Sequence, residues 1–267
     1  MAPNIDKGIG FMGLDVVDLR EFYISPLGRM VRRLLREKLA TLWPTVRGDV
    51  VVALGYATPL LRPWLDKAER LIALMPDGQG VAYWPREGPN MACLADMAHM
   101  PLPDESVDRV LLLHALENAP NPEAMLQEVW RILKPSGQMV VIIPNRLGGW
   151  ADQEETPFGT GRPYSSVQAK SLFKEQGFLV ERLTKALVMA PRLSHLCLSF
   201  APGLWRRVEA LGGRLPFGGF GGVLIVQASK QVLSPALINP RPWNRRLVLP
   251  LPLPTTPIPT VRMGQRG

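Results

Sequence analysis

The sequence predicts a doubly wound α/β domain, a Rossmann-like sheet with helices on both faces. Three observations predict it. Short apolar runs rich in valine and leucine alternate with segments of helical periodicity between residues 48 and 231. The runs are apolar at consecutive positions, as strands buried on both faces require. Several of them close on a glycine, proline or aspartate, where a turn leaves the sheet.

Taken in order, Asp15 to Trp43 reads as helical. Ser25-Pro26 supplies a cap followed by a proline in a first turn. Leu27, Met30, Val31, Leu34, Leu35, Leu39, Leu42 and Trp43 then recur at helical spacing, with Arg29, Arg32, Arg33, Arg36 and Lys38 on much of the opposite face. That basic face reads as solvated surface or as a site for acidic partners or anionic lipid. Val50 to Gly55 is the first strand and Leu60 to Ala68 the helix after it. Arg70 to Leu74, Met91 to Leu94 and Val107 to Leu113 are the next three strands. Glu123 to Leu133 is an amphipathic helix stopped by Pro135-Ser136-Gly137. Met139 to Ile143 is the fifth strand. Ser165 to Gln176 is a helix stopped by Gly177, and Phe178 to Leu183 and Val223 to Ala228 are the last strands. Pro191 to Arg207 reads as a helical insertion that covers a pocket or forms a dimer surface. The glycine run between Gly212 and Gly222 lacks a following Gly-Lys-Ser/Thr and is not a phosphate-binding loop. Three regions result: a helical segment at 1–47 packed on the core, the α/β domain at 48–231, and a tail at 232–267 whose proline density forbids regular helix or sheet.

The chain of 267 residues carries a formal charge of +8. No acid follows Glu209, and seven bases do, from Arg214 to Arg266. Residues 1–209 hold 24 bases and 23 acids, so the excess charge belongs to the end of the chain. The tail could bind phosphate without specificity. With Trp243 as its sole aromatic, it offers little for stacking on bases, and no specific nucleic acid is expected. Two distant cysteines, Cys93 and Cys197, exclude a disulfide framework. No metal motif occurs, and no metal is expected. There is no signal-peptide pattern and no continuously apolar stretch long enough for a membrane span, so a cytoplasmic protein is the default.

Ligands in such sheets bind beyond the carboxyl ends of the strands, which directs attention to the turns after Gly55, Leu74, Leu94 and Leu113. Two blocks there carry a resemblance. Leu94-Ala95-Asp96-Met97-Ala98-His99-Met100-Pro101-Leu102-Pro103-Asp104-Glu105-Ser106-Val107-Asp108 and Glu128-Val129-Trp130-Arg131-Ile132-Leu133-Lys134-Pro135-Ser136-Gly137 are similar to paired motifs of class I S-adenosylmethionine-dependent methyltransferases of the type 11 branch. Ser136 stands where the family has a glycine. The resemblance implies seven strands, six parallel and the last antiparallel. It also implies S-adenosyl-L-methionine lying across the carboxyl ends of the first four. Asp96 then matches the residue that approaches the adenine amino group, whose N–H a carboxylate accepts.

The glycine motif is degenerate. The family's acid and three glycines align with Ala53, Gly55, Ala57 and Pro59. Met75 aligns with the carboxylate that holds the ribose, and Asp77 lies two residues beyond, able to substitute only through a reshaped turn. The candidate cofactor-binding residues are Gly55, Tyr56, Ala57, Thr58, Met75, Asp96, Met97 and His114. His114 and Tyr164 are the candidate catalytic residues. His114 follows the fourth strand and reads as a base for the nucleophile or as a pocket-lining ring. His99 reads as structural or solvated. The loop from Thr156 to Tyr164 reads as a substrate-selecting segment or a lid, with Arg146, Arg162 and Tyr164 suited to an acidic or phenolic substrate. Two functions follow. One is a methyltransferase acting on a small molecule or a protein side chain. The other is a catalytically silent domain that binds a protein partner, with a homodimer also open.

Overall fold

The structure is a computed structural model that describes residues 14–189, 191 and 221–231. Seven strands form one sheet: β1 (Val50–Gly55), β2 (Arg70–Pro76), β3 (Ala92–Ala95), β4 (Val107–Leu113), β5 (Leu133–Pro144), β6 (Phe178–Ala186) and β7 (Val223–Lys230). Their order is β3-β2-β1-β4-β5-β7-β6. β7 runs antiparallel to both its neighbours and the other pairings are parallel, so six strands run one way and the last opposes them. Almost all of the expected insertion at 191–207, most of the glycine run and the proline-rich tail lie outside the described residues.

Alternate residues of each strand face opposite layers, because side chains on a strand have a period of two. Val51 and Ala53 of β1 join one apolar cluster, and Val52 and Leu54 join the other. Helices α1 (Val16–Ile24), α2 (Pro26–Leu42) and α3 (Thr58–Leu61) cover the first layer through residues such as Leu19, Leu35 and Leu60. Helices α4 (Pro122–Ile132) and α5 (Ser166–Glu175) cover the second through Met125, Val129 and Phe173. The helical stretch expected over 15–43 is two helices. Ser25 terminates α1, and its hydroxyl accepts from Gly28 N at 3.0 Å to cap α2. Pro26 has no N–H with which to continue α1. Among the described residues no helix is long and apolar enough to cross a membrane.

Two elements differ from the sequence expectation. The helix after β1 has four residues and passes into a 3₁₀ turn at Arg62–Trp64, where nine residues were expected. Pro63 lacks the N–H that a continuing helix would donate to the Pro59 carbonyl. The Arg36 guanidinium donates to that carbonyl instead. The second difference is β5, which begins at Leu133 and absorbs the expected Pro135-Ser136-Gly137 stop. Its register to β4 shifts between Val107 and Arg109, leaving the intervening residues bulged. Ser136 there has φ +63°, a left-handed conformation that a Cβ disfavours. This is the position the related motif gives to glycine. Ser136→Gly is therefore expected to stabilise the domain by about 1 kcal/mol, a rise of roughly 2–4 °C in Tm measurable by calorimetry.

The two motif blocks also meet physically. Arg131 donates to Glu128 twice at 2.8 Å, to the carbonyls of Leu102 and Met100 at 2.8 and 3.0 Å, and to Asp104 at 2.6 Å. Glu128 in turn accepts from Met100 N at 2.8 Å. The arginine holds the Glu128 carboxyl below the usual carboxylate range. The paired motifs thus form a clasp between α4 and the β3–β4 turn.

Candidate active site

Gly55 ends β1 with φ +76°. A Cβ there would overlap the Leu113 carbonyl oxygen and sit 2.9 Å from Ala115 Cβ, so only glycine lets β1 and β4 close together. The other degenerate positions need no glycine. Ala57 has φ −90°, ψ −7°, and its methyl is buried in the α1–α3 layer. Pro59 lies in the first turn of α3, where its missing N–H has no partner to lose within the helix. Thr58 is buried beside it.

Between the ends of β2 and β3 lies a cavity of about 250 Å³. Asp77 and Asp96 both line it, with Met97 and Met125 among the apolar walls. Asp77 reaches it because a 3₁₀ turn at Asp77–Gln79 leaves β2 directly. Met75 does not line it. Its side chain is buried within β2 in the α1–α3 layer. Asp96 accepts from Ala98 N at 2.8 Å and pairs with His99 Nδ1 at 2.9 Å. That hydrogen bond lowers the Asp96 pKa and raises that of His99. The exposed pair is complete only between the two shifted values. It is lost as pH rises through the His99 value and as pH falls through that of Asp96. The His99 titration followed by NMR is expected to have its midpoint above the ordinary value of about 6.5 and to return to it in Asp96→Asn.

The end of β4 carries a buried polar cluster. His114 has φ +53° and no exposure. Its Nε2 meets the Tyr23 hydroxyl of α1 at 2.9 Å, and its Nδ1 lies 3.3 Å from Glu117 Oε1, outside hydrogen-bond alignment. A carboxylate only accepts, so the imidazole proton belongs on Nδ1 and Nε2 accepts from Tyr23. Burial holds the Tyr23 phenol in its protonated form, well above its usual pKa. Phe158 packs on the imidazole with centroids 4.8 Å apart, and Tyr23 packs on Tyr56 at 5.8 Å. Gln79 donates from the β2 turn to the His114 carbonyl at 3.0 Å. Since β1 lies between β2 and β4, this bond bridges the crevice above Gly55. Both oxygens of Glu117, Gln79 Oε1 and Asn118 Oδ1 are buried without a hydrogen-bond partner. Several orphaned acceptors at one strand end are costly in a protein interior and mark a place for a ligand.

The structure does not bring the two candidate catalytic residues together. Tyr164 packs in the α4–α5 layer, whereas the His114 ring meets Tyr23 and Phe158 of the other. Burial raises the Tyr164 pKa, opposed by nearby Arg162. The loop is anchored by its backbone: Arg162 N donates to the Glu117 carbonyl at 2.7 Å and Tyr164 N to the Pro144 carbonyl at 3.0 Å. Sequence reasoning missed Tyr23, Gln79 and the polar pair Glu117-Asn118. The pair was legible as charge and amide directly after a wholly apolar strand. Tyr23 sits on a helix that gave no such signal.

The fold and site together define a doubly wound sheet with a ligand crevice at its topological switch point. Residues 51–141 match the family model described as a methyltransferase domain. A "Probable S-adenosylmethionine-dependent methyltransferase" of Mycolicibacterium smegmatis is 32% identical over 130 residues, 48% of this chain and 49% of that protein. A demethylmenaquinone methyltransferase of Listeria monocytogenes is 34% identical over 117 residues, 43% of this chain and 48% of that one. A SAM-dependent methyltransferase structure from Archaeoglobus fulgidus superposes with a TM-score of 0.56 at 18% identity, covering 80% of this chain and 98% of its own. Over residues 51–141 the chain is similar to the methyltransferase domain family, and its fold is that of a SAM-dependent methyltransferase structure. The chain spans about half the length of the curated relatives it matches.

Proposed function

We propose that the protein transfers a methyl group from S-adenosyl-L-methionine to a small molecule. The observation that carries this reading is the set of orphaned acceptors at the end of β4, next to a cavity lined by two carboxylates. The bound cofactor would supply an electrophilic methyl on a cationic sulfonium. Asp77 and Asp96 suit the hydroxyls and amino group of its adenosine part, and Asp77 takes the place that the motif gives to Met75. The buried Glu117 carboxylate suits a nearby positive charge. Gly55, Tyr56, Ala57 and Thr58 would approach the cofactor through backbone. The name of the Listeria relative supports a small-molecule acceptor over a protein side chain.

His114 acts through Tyr23 in this reading. The Tyr23 hydroxyl would accept the proton of the acceptor's nucleophilic atom as it passes its own proton to His114 Nε2. Glu117 would stabilise the resulting imidazolium across the 3.3 Å gap. Aromatic rings from α1 and the 150–158 segment keep water from this path. Calorimetric titration with S-adenosylmethionine is expected to show binding, weakened at least tenfold, about 1.4 kcal/mol, in the Asp77→Asn/Asp96→Asn double variant. Absence of binding at millimolar cofactor would remove the enzymatic reading.

One observation favours the second reading, a silent domain that binds a protein. The Gln79 bridge closes the crevice across β1, and a cofactor spanning β1 to β4 must displace it. Gln79→Ala is expected to raise cofactor affinity if the bridge is a removable plug. If neither wild type nor Gln79→Ala binds, the module reading stands.

A further inference from the structure

A second and larger cavity, about 880 Å³, opens between α1, α2, the turn after β1 and the 81–86 segment. Five arginines line it: Arg20, Arg32, Arg36, Arg62 and Arg86. Among the described residues no carboxylate lines it. Arg62 alone has an ion-pair partner among the described residues, the exposed Glu87 at 3.5 Å. Arg36 is the most committed of the five. Its Nε is buried without a partner, and one of its other nitrogens is spent on the Pro59 carbonyl. Burial, with the neighbouring charges of Arg32 and Arg62, lowers its pKa to about 10. Arg20, Arg62 and Arg86 are exposed and Arg32 and Arg36 half-buried, so water screens much of their charge, and an anion reaching several of them at once would relieve their mutual repulsion. Among the described residues only Glu87 forms an ion pair with any of the five. The first thirteen residues of the chain hold one acid, Asp6, and one base, Lys7.

The cavity shares one residue with the polar cluster at the end of β4. Tyr23, whose hydroxyl contacts His114, lines it together with Tyr56 and Thr58. Its volume is in the range that takes a whole small molecule. Apolar side chains, including Val17, Ile24 and Leu65, line it between the arginines. One carboxylate of a bound cofactor would satisfy one arginine and leave four.

We infer that this arginine-lined cavity is the acceptor site, and that the acceptor is a polyanionic small molecule bearing phosphoryl groups, held with its nucleophile toward Tyr23. Guanidinium forks bind phosphate oxygens in pairs, which suits a phosphoryl group better than a lone carboxylate. The inference rests on the methyltransferase reading for the word acceptor, but the anion site stands or falls separately.

The test uses inorganic pyrophosphate as probe on the full chain, by calorimetry, with S-adenosylmethionine titrated in parallel. Wild type is expected to bind pyrophosphate, more weakly as salt rises. Arg32→Gln/Arg86→Gln is expected to bind it at least tenfold more weakly while keeping cofactor affinity within about twofold. Arg36→Gln should show the same loss, and the double variant covers the case in which it unfolds. Arg33→Gln, on an exposed residue paired with Glu37, should change nothing. Pyrophosphate binding without cofactor binding would keep the site and sink the methyltransferase reading. Cofactor binding without pyrophosphate binding at about 5 mM would overturn the inference. Competition between the two would also overturn it, by making the cavity a cofactor subsite. An equal loss in Arg33→Gln would reduce it to general charge attraction.

Discussion

Gly55→Ala is expected to destabilise the domain by about 3 kcal/mol, while Gly48→Ala costs only about 1 kcal/mol. The two glycines have nearly the same φ, +76° and +77°. A side chain in that region costs about 1 kcal/mol at either position. They differ in what the added methyl meets. At Gly48 nothing lies within 4 Å. At Gly55 the methyl would overlap the Leu113 carbonyl and crowd Ala115, both on or next to the neighbouring strand. Backbone cannot turn aside as a flexible side chain can, so β1 and β4 must part, adding about 2 kcal/mol of overpacking strain. In urea, the expected result is a clear fall in the midpoint for Gly55→Ala with little change in slope, and a small fall for Gly48→Ala. Equal losses would mean that conformation alone, not contact with β4, retains the glycine.

The same comparison explains how much of the molecule could be read beforehand. The strands were legible because each is an apolar run whose alternate residues serve two buried layers, as Val51 to Leu54 do. Helix α4 was legible because Met125, Val129 and Ile132 recur on one face. The loss of glycines after β1 could not be weighed, because a glycine count does not say which position needs φ > 0. Only Gly55 does, and only Gly55 is kept. Helix α3 was overextended because the effect of Pro63 depends on whether another donor takes the Pro59 carbonyl, and that donor, Arg36, lies 23 residues before Pro59. The contacts of Tyr23 with His114 and of Gln79 with the β4 end join residues 91 and 35 positions apart. No periodicity carries such information. Asp77 was visible in sequence, but its approach to the cavity depended on the 3₁₀ turn that follows β2.

Glu117→Leu is expected to make the ligand-free protein more stable and the cofactor complex weaker. The Glu117 side chain is fully buried, and neither oxygen receives an aligned hydrogen bond. A charge in that setting keeps a large desolvation cost that the off-axis imidazole offsets only in part. An apolar residue of similar volume removes the cost, and the His114 Nδ1–H loses its nearest acceptor in exchange. The balance favours leucine by about 1–2 kcal/mol. A domain of this size would gain roughly 2–8 °C in Tm. Cofactor affinity should move the other way, by at least tenfold, or about 1.4 kcal/mol, because the carboxylate that faces a cationic ligand is gone. Glu117→Gln separates charge from hydrogen bonding: it keeps an acceptor for His114 and should lose the same affinity. A fall in ligand-free stability on Glu117→Leu would instead make the His114–Glu117 contact a structural ion pair. The stability it sustains would then be the reason for its presence. Opposite signs in the two measurements would identify Glu117 as a residue held at a cost to the fold because the site requires its charge.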